Sequence, residues 1–294
     1  MAGATVRATE APVPVAAQAN VFRPYRMRIA QATDEAPGVR TFRLEFVDPG
    51  EGAAFSFRTG QFGLYSAFGA GESTFCIASP PTRQGYIECT FREMGRVTSA
   101  LADCEVGDLI GFRGPYGNTF PIDHWKGKSL LFVAGGIALP PLRSVIWNCL
   151  DLRDLFRDVT VVYGARTVND LVYKRELSEW GERKDMKLLV TVDPGGETPD
   201  WKGKIGFVPH VVEALAPPSE NTVAVVCGPP IMIKLTLPVL SGLGFEKDAI
   251  YTTLENRMKC GLGKCGRCNT GRSYVCKDGP VYTLSELEEL PAEY

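Results

Sequence analysis

From Tyr25 to about Asp123, apolar and polar residues alternate in short runs broken by glycine and proline. Val39-Arg-Thr-Phe-Arg-Leu-Glu-Phe-Val has the period of a half-buried strand, since successive side chains of a strand point to opposite faces. Gly60-Gln-Phe-Gly-Leu-Tyr-Ser, Tyr86-Ile-Glu-Cys-Thr-Phe and Asp108-Leu-Ile-Gly-Phe-Arg continue the series, with one helix expected over residues 97–103. Short strands with Gly/Pro turns predict a small antiparallel β barrel. After Trp125 the texture changes to α/β alternation. Strands are predicted at 129–134, 160–164, 187–192 and 222–228, and helices at 139–150, 168–180, 208–215 and 229–243. Alternation of this kind predicts a parallel sheet with helices on both faces. Residues 1–21 are rich in Ala, Pro and Val without periodicity and read as a flexible tail. The expected organisation is therefore a tail over 1–21, a barrel over 22–124, an α/β domain over 125–250 and a small C-terminal segment over 251–294.

A chain of 294 residues suits two domains. A formal charge of −2 argues against nucleic acid or an anionic membrane surface as the main partner. No apolar run reaches the roughly 18 residues of a membrane span; the run Ser129-Leu-Leu-Phe-Val-Ala stops at Gly135-Gly136. The N-terminus lacks the basic stretch and apolar core of a signal peptide. Nine cysteines, an odd number, then point to reduced thiols and metal ligation, and the expected compartment is the cytoplasm.

Four of these cysteines, Cys260, Cys265, Cys268 and Cys276, follow a Cys-x4-Cys-x2-Cys-x7-Cys pattern. The first two spacings are those of a plant-type [2Fe-2S] site. Gly261, Gly263 and Gly266 allow positive φ, so backbone N–H groups can turn toward the sulfurs. Four thiolates at close spacing also suit structural zinc, and that reading stays open on spacing alone. Lys259, Lys264, Arg267 and Arg272 around them either guide an acidic partner or form a solvated basic surface.

Three glycine-bearing turns follow predicted strands: Gly135-Gly136-Ile-Ala-Leu-Pro140, Tyr163-Gly164-Ala-Arg166-Thr and Val226-Cys227-Gly228-Pro229-Pro-Ile-Met. In open α/β sheets, ligands bind beyond the carboxyl ends of the strands, so the turns together predict a dinucleotide site. Cys227 reads either as a small buried apolar residue or as a group facing a nicotinamide. Arg166, or Lys174 with Arg175, is placed to hold a 2′-phosphate. In the barrel half, Gly95-Arg96-Val97-Thr98 opens the short helix, which suits a pyrophosphate, although Thr98 also reads as a simple N-cap. Thr74-Phe75-Cys76-Ile77 either seats a flat ring system or is an ordinary strand. The two histidines, His124 and His210, belong to no recognisable constellation.

A barrel followed by Gly-Gly-Ile-Ala-Leu-Pro-Pro and Val-Cys-Gly-Pro-Pro-Ile-Met resembles the ferredoxin–NADP reductase superfamily. The block Met258-Lys-Cys-Gly-Leu-Gly-Lys-Cys-Gly-Arg-Cys narrows the resemblance. From Tyr25 onward the chain resembles the diaphorase (gamma) subunits of NiFe sulfhydrogenases. Related to these are the B-type chains of anaerobic sulfite reductase, FlxA-like proteins and dihydroorotate dehydrogenase electron-transfer subunits. The resemblance implies FAD on the barrel, NAD(P)H on the α/β domain and a [2Fe-2S] cluster held by Cys260, Cys265, Cys268 and Cys276. The Thr74-Phe75-Cys76-Ile77 stretch falls where many members carry Arg-x-Tyr-Ser beside the flavin; here the arginine is absent, Phe stands for Tyr and Cys for Ser. Gly95, Arg96, Val97 and Thr98 match the flavin-pyrophosphate position. Gly135, Gly136 and Pro140 match the nicotinamide-side turn, with Gly228 and Pro229 beneath it. The implied activity is an NAD(P)H-dependent flavin and iron–sulfur oxidoreductase whose protein part supplies no acid, base or nucleophile. The implied partners are catalytic and iron–sulfur subunits of a larger redox complex, such as a NiFe hydrogenase or a heterodisulfide-reductase-like assembly. A component of an anaerobic sulfite reductase, or a stand-alone NAD(P)H–ferredoxin reductase with ferredoxin as partner, is the alternative.

Overall fold

The structure is a computed structural model and describes residues 20–291. The tail expected over 1–21 therefore lies outside the described residues except for Asn20 and Val21. The first half contains β1 (Tyr25–Ala36), β2 (Val39–Phe46), α1 (Pro49–Ala54), β3 (Phe62–Ala67), β4 (Gly71–Cys76), β5 (Ile87–Arg92), α2 (Arg96–Ala102) and β6 (Leu109–Tyr116). All six strands pair antiparallel in the order β4-β3-β6-β1-β2-β5. The sheet curls until the chain after β4 meets β5, where the Ala78 N–H donates to the Glu88 carbonyl at 2.7 Å. Alternate residues (Met27, Ile29, Phe42, Leu44, Phe91, Phe112) fill the interior, as the period of two requires.

The second half contains β7 (Ser129–Gly135), α3 (Leu139–Asp151), β8 (Val159–Ala165), α4 (Lys174–Glu182), β9 (Lys187–Val192), β10 (Lys204–Ile205), α5 (Val208–Leu215), β11 (Thr222–Cys227), α6 (Pro230–Gly242) and β12 (Ile250–Thr253). It ends with β13 (Asn269–Thr270), β14 (Ser273–Tyr274), α7 (Val275–Asp278), β15 (Val281–Thr283) and α8 (Leu284–Glu288). The main sheet has the order β10-β9-β8-β7-β11-β12-β15 and is parallel except for β15. Phe132, Val161 and Val225 face one helical layer while Leu131, Val133 and Val226 face the other, so both faces are buried.

Two expectations change. The helix expected at 168–180 begins only at Lys174, because Thr167 caps a single turn at Asp170 and Tyr173 adopts a left-handed φ of 54°. The cysteine segment, expected as a small C-terminal segment over 251–294, is part of the second sheet. It is an excursion between β12 and β15, so the expected boundary at 250/251 falls within β12.

The two halves are joined by a buried charge network centred on Arg143 of α3. Its guanidinium donates to the Ala78 carbonyl at 2.8 Å and to Glu88 at 2.6 Å in the barrel, and to Glu176 of α4 at 2.6–2.9 Å. The Tyr173 hydroxyl reaches Thr90, and its backbone N–H donates to Glu35 at 2.8 Å. Removing one member of such a cluster leaves uncompensated buried charge. Arg143→Ala is expected to lower unfolding free energy by about 3–5 kcal/mol, measured by urea denaturation. A loss below about 1 kcal/mol would show that the cluster behaves as a surface pair.

Candidate functional site

Strands β7 and β11 are neighbours, but the chain leaves β7 toward β8 on one side and leaves β11 toward β12 on the other. Their carboxyl ends flank the point where the connections diverge, the position at which doubly wound sheets open a crevice. Gly135, Gly136, Cys227, Gly228 and Pro229 all lie there. They do not play one role. A side chain at Gly135 would meet Met232 Sδ at 2.4 Å, and one at Gly228 would meet Met232 Cε at 2.2 Å, so these two glycines let α6 pack against the strand ends. Gly164 is equally constrained by Val208 at 2.3 Å. Gly136 differs: its φ is +55°, and the space a Cβ would occupy is open for 4 Å. Pro140 is buried in the first turn of α3. Arg166 is exposed beyond β8, beside Asp193 at the end of β9. Lys174 is not at this edge; its ammonium donates to the carbonyls of Glu35, Asn169 and Leu171 at the domain seam.

Strand β4 is one of the sheet's two edge strands, so one side of it has no hydrogen-bonded strand. Phe75 packs its ring 5.7 Å from both Tyr65 and Phe91, and Ile77 is buried in the barrel core. By strand alternation, Thr74 and Cys76 face the other way. The Thr74 hydroxyl donates to the Met258 carbonyl at 3.4 Å, and Cys76 lies within electrostatic reach of Glu255 and Cys227. Burial pushes the Cys76 thiol well up, and burial likewise pushes Cys227 up to about 12 despite hydrogen bonds with Thr253. Both remain neutral thiols at physiological pH.

The start of β4 touches α2. Arg96 donates to the Gly69 carbonyl at 3.1 Å, and Gly71 faces Val97. Gly95 is exposed with open space around it. Thr98 is committed locally: its hydroxyl accepts from Met94 and Gly95 N–H at 2.8 and 2.9 Å and donates to the Gly95 carbonyl. Thr98 thus fixes the turn that exposes Gly95 and Arg96.

The cysteine loop holds its thiols in two pairs. Cys265 lies beside Cys260 and Cys268 beside Cys276, with Cys260 also within electrostatic reach of Cys276. Gly261, Gly263 and Gly266 have φ of +73°, +69° and +74°, which coils the backbone around the sulfurs. N–H groups of Leu262, Lys264 and Cys265 point at Cys260 Sγ from 3.4 Å, and that of Gly263 points at Cys276 Sγ from 3.1 Å. Burial acts to raise the Cys260 pKa, but these three N–H groups outweigh it and bring the thiol down to about 6. Cys276 is pushed up to about 12, first by burial and then by Cys268. Among the described residues, no three His, Cys, Asp or Glu side chains gather as ligands of one ion. Cysteine sulfurs with backbone N–H groups aimed at them suit the ligands of an iron–sulfur cluster.

The loop is set against the barrel. Phe62 packs with Cys268, Val275 and Cys276, and Tyr116 lies so close that a side chain at Gly261 would meet its ring at 2.6 Å. Tyr116 accepts from Arg113 at 3.2 Å, and Arg113 makes a bidentate pair with Glu72 of β4 at 2.7 and 2.8 Å. Asn118 donates to the carbonyls of Asp278 and Val281 at 2.9 and 2.7 Å, closing the loop's far end. Arg113, Tyr116 and Asn118 had no local signal, and the contacts of Glu72 with Arg113 and of Met258 with Thr74 join residues too distant in the chain for their motifs to show.

Residues 132–237 match the oxidoreductase NAD-binding domain, and residues 255–288 match the iron-sulfur cluster binding domain of dihydroorotate dehydrogenase B. The chain is 36% identical over 280 residues to the sulfhydrogenase 1 subunit gamma of Pyrococcus furiosus, covering 92% of this chain and 94% of that one. It belongs to the sulfhydrogenase gamma subunit family. A second gamma subunit from P. furiosus is 35% identical, covering 90% of this chain and 96% of that one. A probable dihydroorotate dehydrogenase B electron transfer subunit of Thermococcus kodakarensis is 30% identical, with 88% and 96% covered. The gamma-type chain shares the ferredoxin–NADP reductase-like fold. It superposes on a chain of the NADH-dependent reduced ferredoxin-NADP oxidoreductase with a TM-score of 0.72 at 23% identity, over 91% of this chain and 90% of that one.

Glu72 links this family fold's β4 to the loop, and its ionisation is testable. The Arg113 guanidinium holds the Glu72 carboxyl below its usual 4.5, against the opposing effect of burial. A depressed carboxylate contributes stability that is complete above the unfolded value and is lost as pH falls through the folded one. Glu72→Gln is therefore expected to cost on the order of 1 kcal/mol at pH 7, with the gap to the parent closing below about pH 4. Urea melts at pH 7 and at stepwise lower pH check it; a gap that does not narrow on acidification would show that the carboxylate charge is not what matters.

Proposed function

We propose that this chain is the electron-transfer subunit of a multisubunit oxidoreductase, passing electrons between NAD(P)H, a flavin and an iron–sulfur cluster to or from a catalytic partner subunit. The observation that carries this reading is convergence. The outward face of β4 (Thr74, Cys76), the crevice end of β11 (Cys227) and the cysteine loop (Glu255, Met258) meet at one place. When bound there, NAD(P)H and a flavin supply hydride chemistry, and the cluster supplies single-electron chemistry.

The residues have distinct tasks. Gly136 gives a dinucleotide close access to the backbone at the β7–β11 crevice, while Gly135 and Gly228 set how deeply α6 seats. Arg166 and Asp193 stand where the nucleotide's ribose end would lie, one favouring a phosphate and the other a hydroxyl. Gly95, Arg96 and the outer face of β4 carry the flavin, which we take to be FAD. Thr74 ties that strand to the loop through Met258, two residues from Cys260. Cys260 with Cys265, and Cys268 with Cys276, hold a [2Fe-2S] cluster as two pairs of ligands. Neutral Cys76 and Cys227 keep negative charge away from the flavin–nicotinamide face. We take 22–124 as the flavin domain and 125–250 as the body of the nucleotide domain, with the cluster carried within 251–294 on the excursion that leaves that domain's sheet at β12 and returns at β15.

The test is anaerobic purification with flavin, iron, sulfide and zinc analysis. The expected result is one flavin, about two irons and about two sulfides per chain, with reduction by NADPH or NADH producing a cluster EPR signal. Cys268→Ser should abolish that signal while leaving flavin reduction by the nucleotide intact. A colourless loop with stoichiometric zinc would overturn the cluster assignment.

A further inference from the structure

Of the four paired cysteines only Cys265 is exposed; Cys260 is half-buried, and Cys268 and Cys276 are buried. Lys264, Cys265, Gly266 and Arg267 form a continuous exposed rim, and the backbone at Gly266 has open space around it. This is where the loop's interior comes nearest to solvent. Residues 255–278 contain six basic side chains and two acidic ones, although the whole chain has 32 basic and 34 acidic residues. All six bases (Arg257, Lys259, Lys264, Arg267, Arg272 and Lys277) are exposed. None is ion-paired among the described residues, whereas Arg83, Arg113 and Arg143 elsewhere hold carboxylates at 2.6–2.8 Å. The two acids of the segment do not neutralise the rim. Asp278 accepts from the Tyr274 N–H at 2.7 Å, and Glu255 lies within electrostatic reach of Cys76.

Resting on the electron-transfer reading above, we propose that this rim is a docking surface for a separate acidic redox protein, brought to the Cys265 edge by charge. Unpaired exposed bases around the most accessible ligand provide the long-range attraction that speeds and orients encounter. Electron-transfer contacts are small, so charge has more weight in them than buried apolar area. The attraction acts over about 8 Å at physiological ionic strength and weakens with salt. A basic surface that merely offset the thiolates' charge would turn its side chains onto the loop rather than present them free to solvent.

The experiment measures binding of the full chain to an immobilised acidic plant-type ferredoxin, with the basic protein cytochrome c as the opposite probe. Binding to ferredoxin is expected to weaken at least tenfold between about 0.05 and 0.5 M salt, with no binding to cytochrome c. Arg267→Glu with Arg272→Glu should weaken it at least tenfold, and Arg267→Gln with Arg272→Gln by less. Lys202→Glu with Lys204→Glu, at the opposite edge of the sheet, should leave it unchanged. Ferredoxin binding that is absent, or indifferent to both salt and charge reversal, overturns the proposal. EPR and visible spectra of the same samples separate it from the functional reading. A chain that reduces its cluster with NAD(P)H yet shows no charge-dependent binding refutes the docking surface alone. One that binds ferredoxin as expected but carries no cluster supports docking and refutes the redox role.

Discussion

The pairing of β15 on β12 is the constraint from which the site's geometry follows. β12 runs parallel to β11, so its carboxyl end opens at the same edge as the crevice. β15 returns antiparallel from that edge, with the Leu254 N–H bonded to the Pro280 carbonyl at 2.9 Å where the excursion closes. The cysteine loop is therefore a hairpin excursion on the nucleotide sheet, clamped at its base. A tail joined at one end would lose far more conformational entropy in holding two thiol pairs beside a barrel strand.

Around that hairpin, open and filled space are sharply divided. Met232 occupies the volume beneath Gly135 and Gly228, and Val208 that beside Gly164, whereas Gly136 and Gly95 leave backbone accessible. The barrel makes the same division by alternation: Phe75 and Ile77 belong to its interior, while Thr74 and Cys76 meet the loop and the crevice. Neighbouring residues of one motif thus serve interior packing and contact with the loop in turn.

What could be read from the chain was what local rules encode. Barrel strands bury one face and show a period of two. The central strands of the second sheet bury both faces and read as continuous apolar runs ended by glycine, within a residue or two of their observed limits. The cysteine spacing was legible because the ligands lie within one short segment. Two kinds of feature were not. Ile250-Tyr-Thr-Thr is too short to announce itself as a strand, and Leu171-Val-Tyr continues an apolar pattern that turns out to serve the domain seam instead of a helix. Contacts such as Arg143 with Glu88, Tyr116 with Gly261 and Asn118 with Val281 join residues far apart in sequence, and no periodicity records them.

The clamped base of the cysteine loop also decides what can move relative to what. The loop and the nucleotide crevice grow from one sheet and must travel as a unit, while β4 belongs to the barrel on the other side of the Arg143 seam. The loop is also packed on Phe62, Tyr116 and Asn118 of the first half, so it braces the two halves at a second place besides that seam.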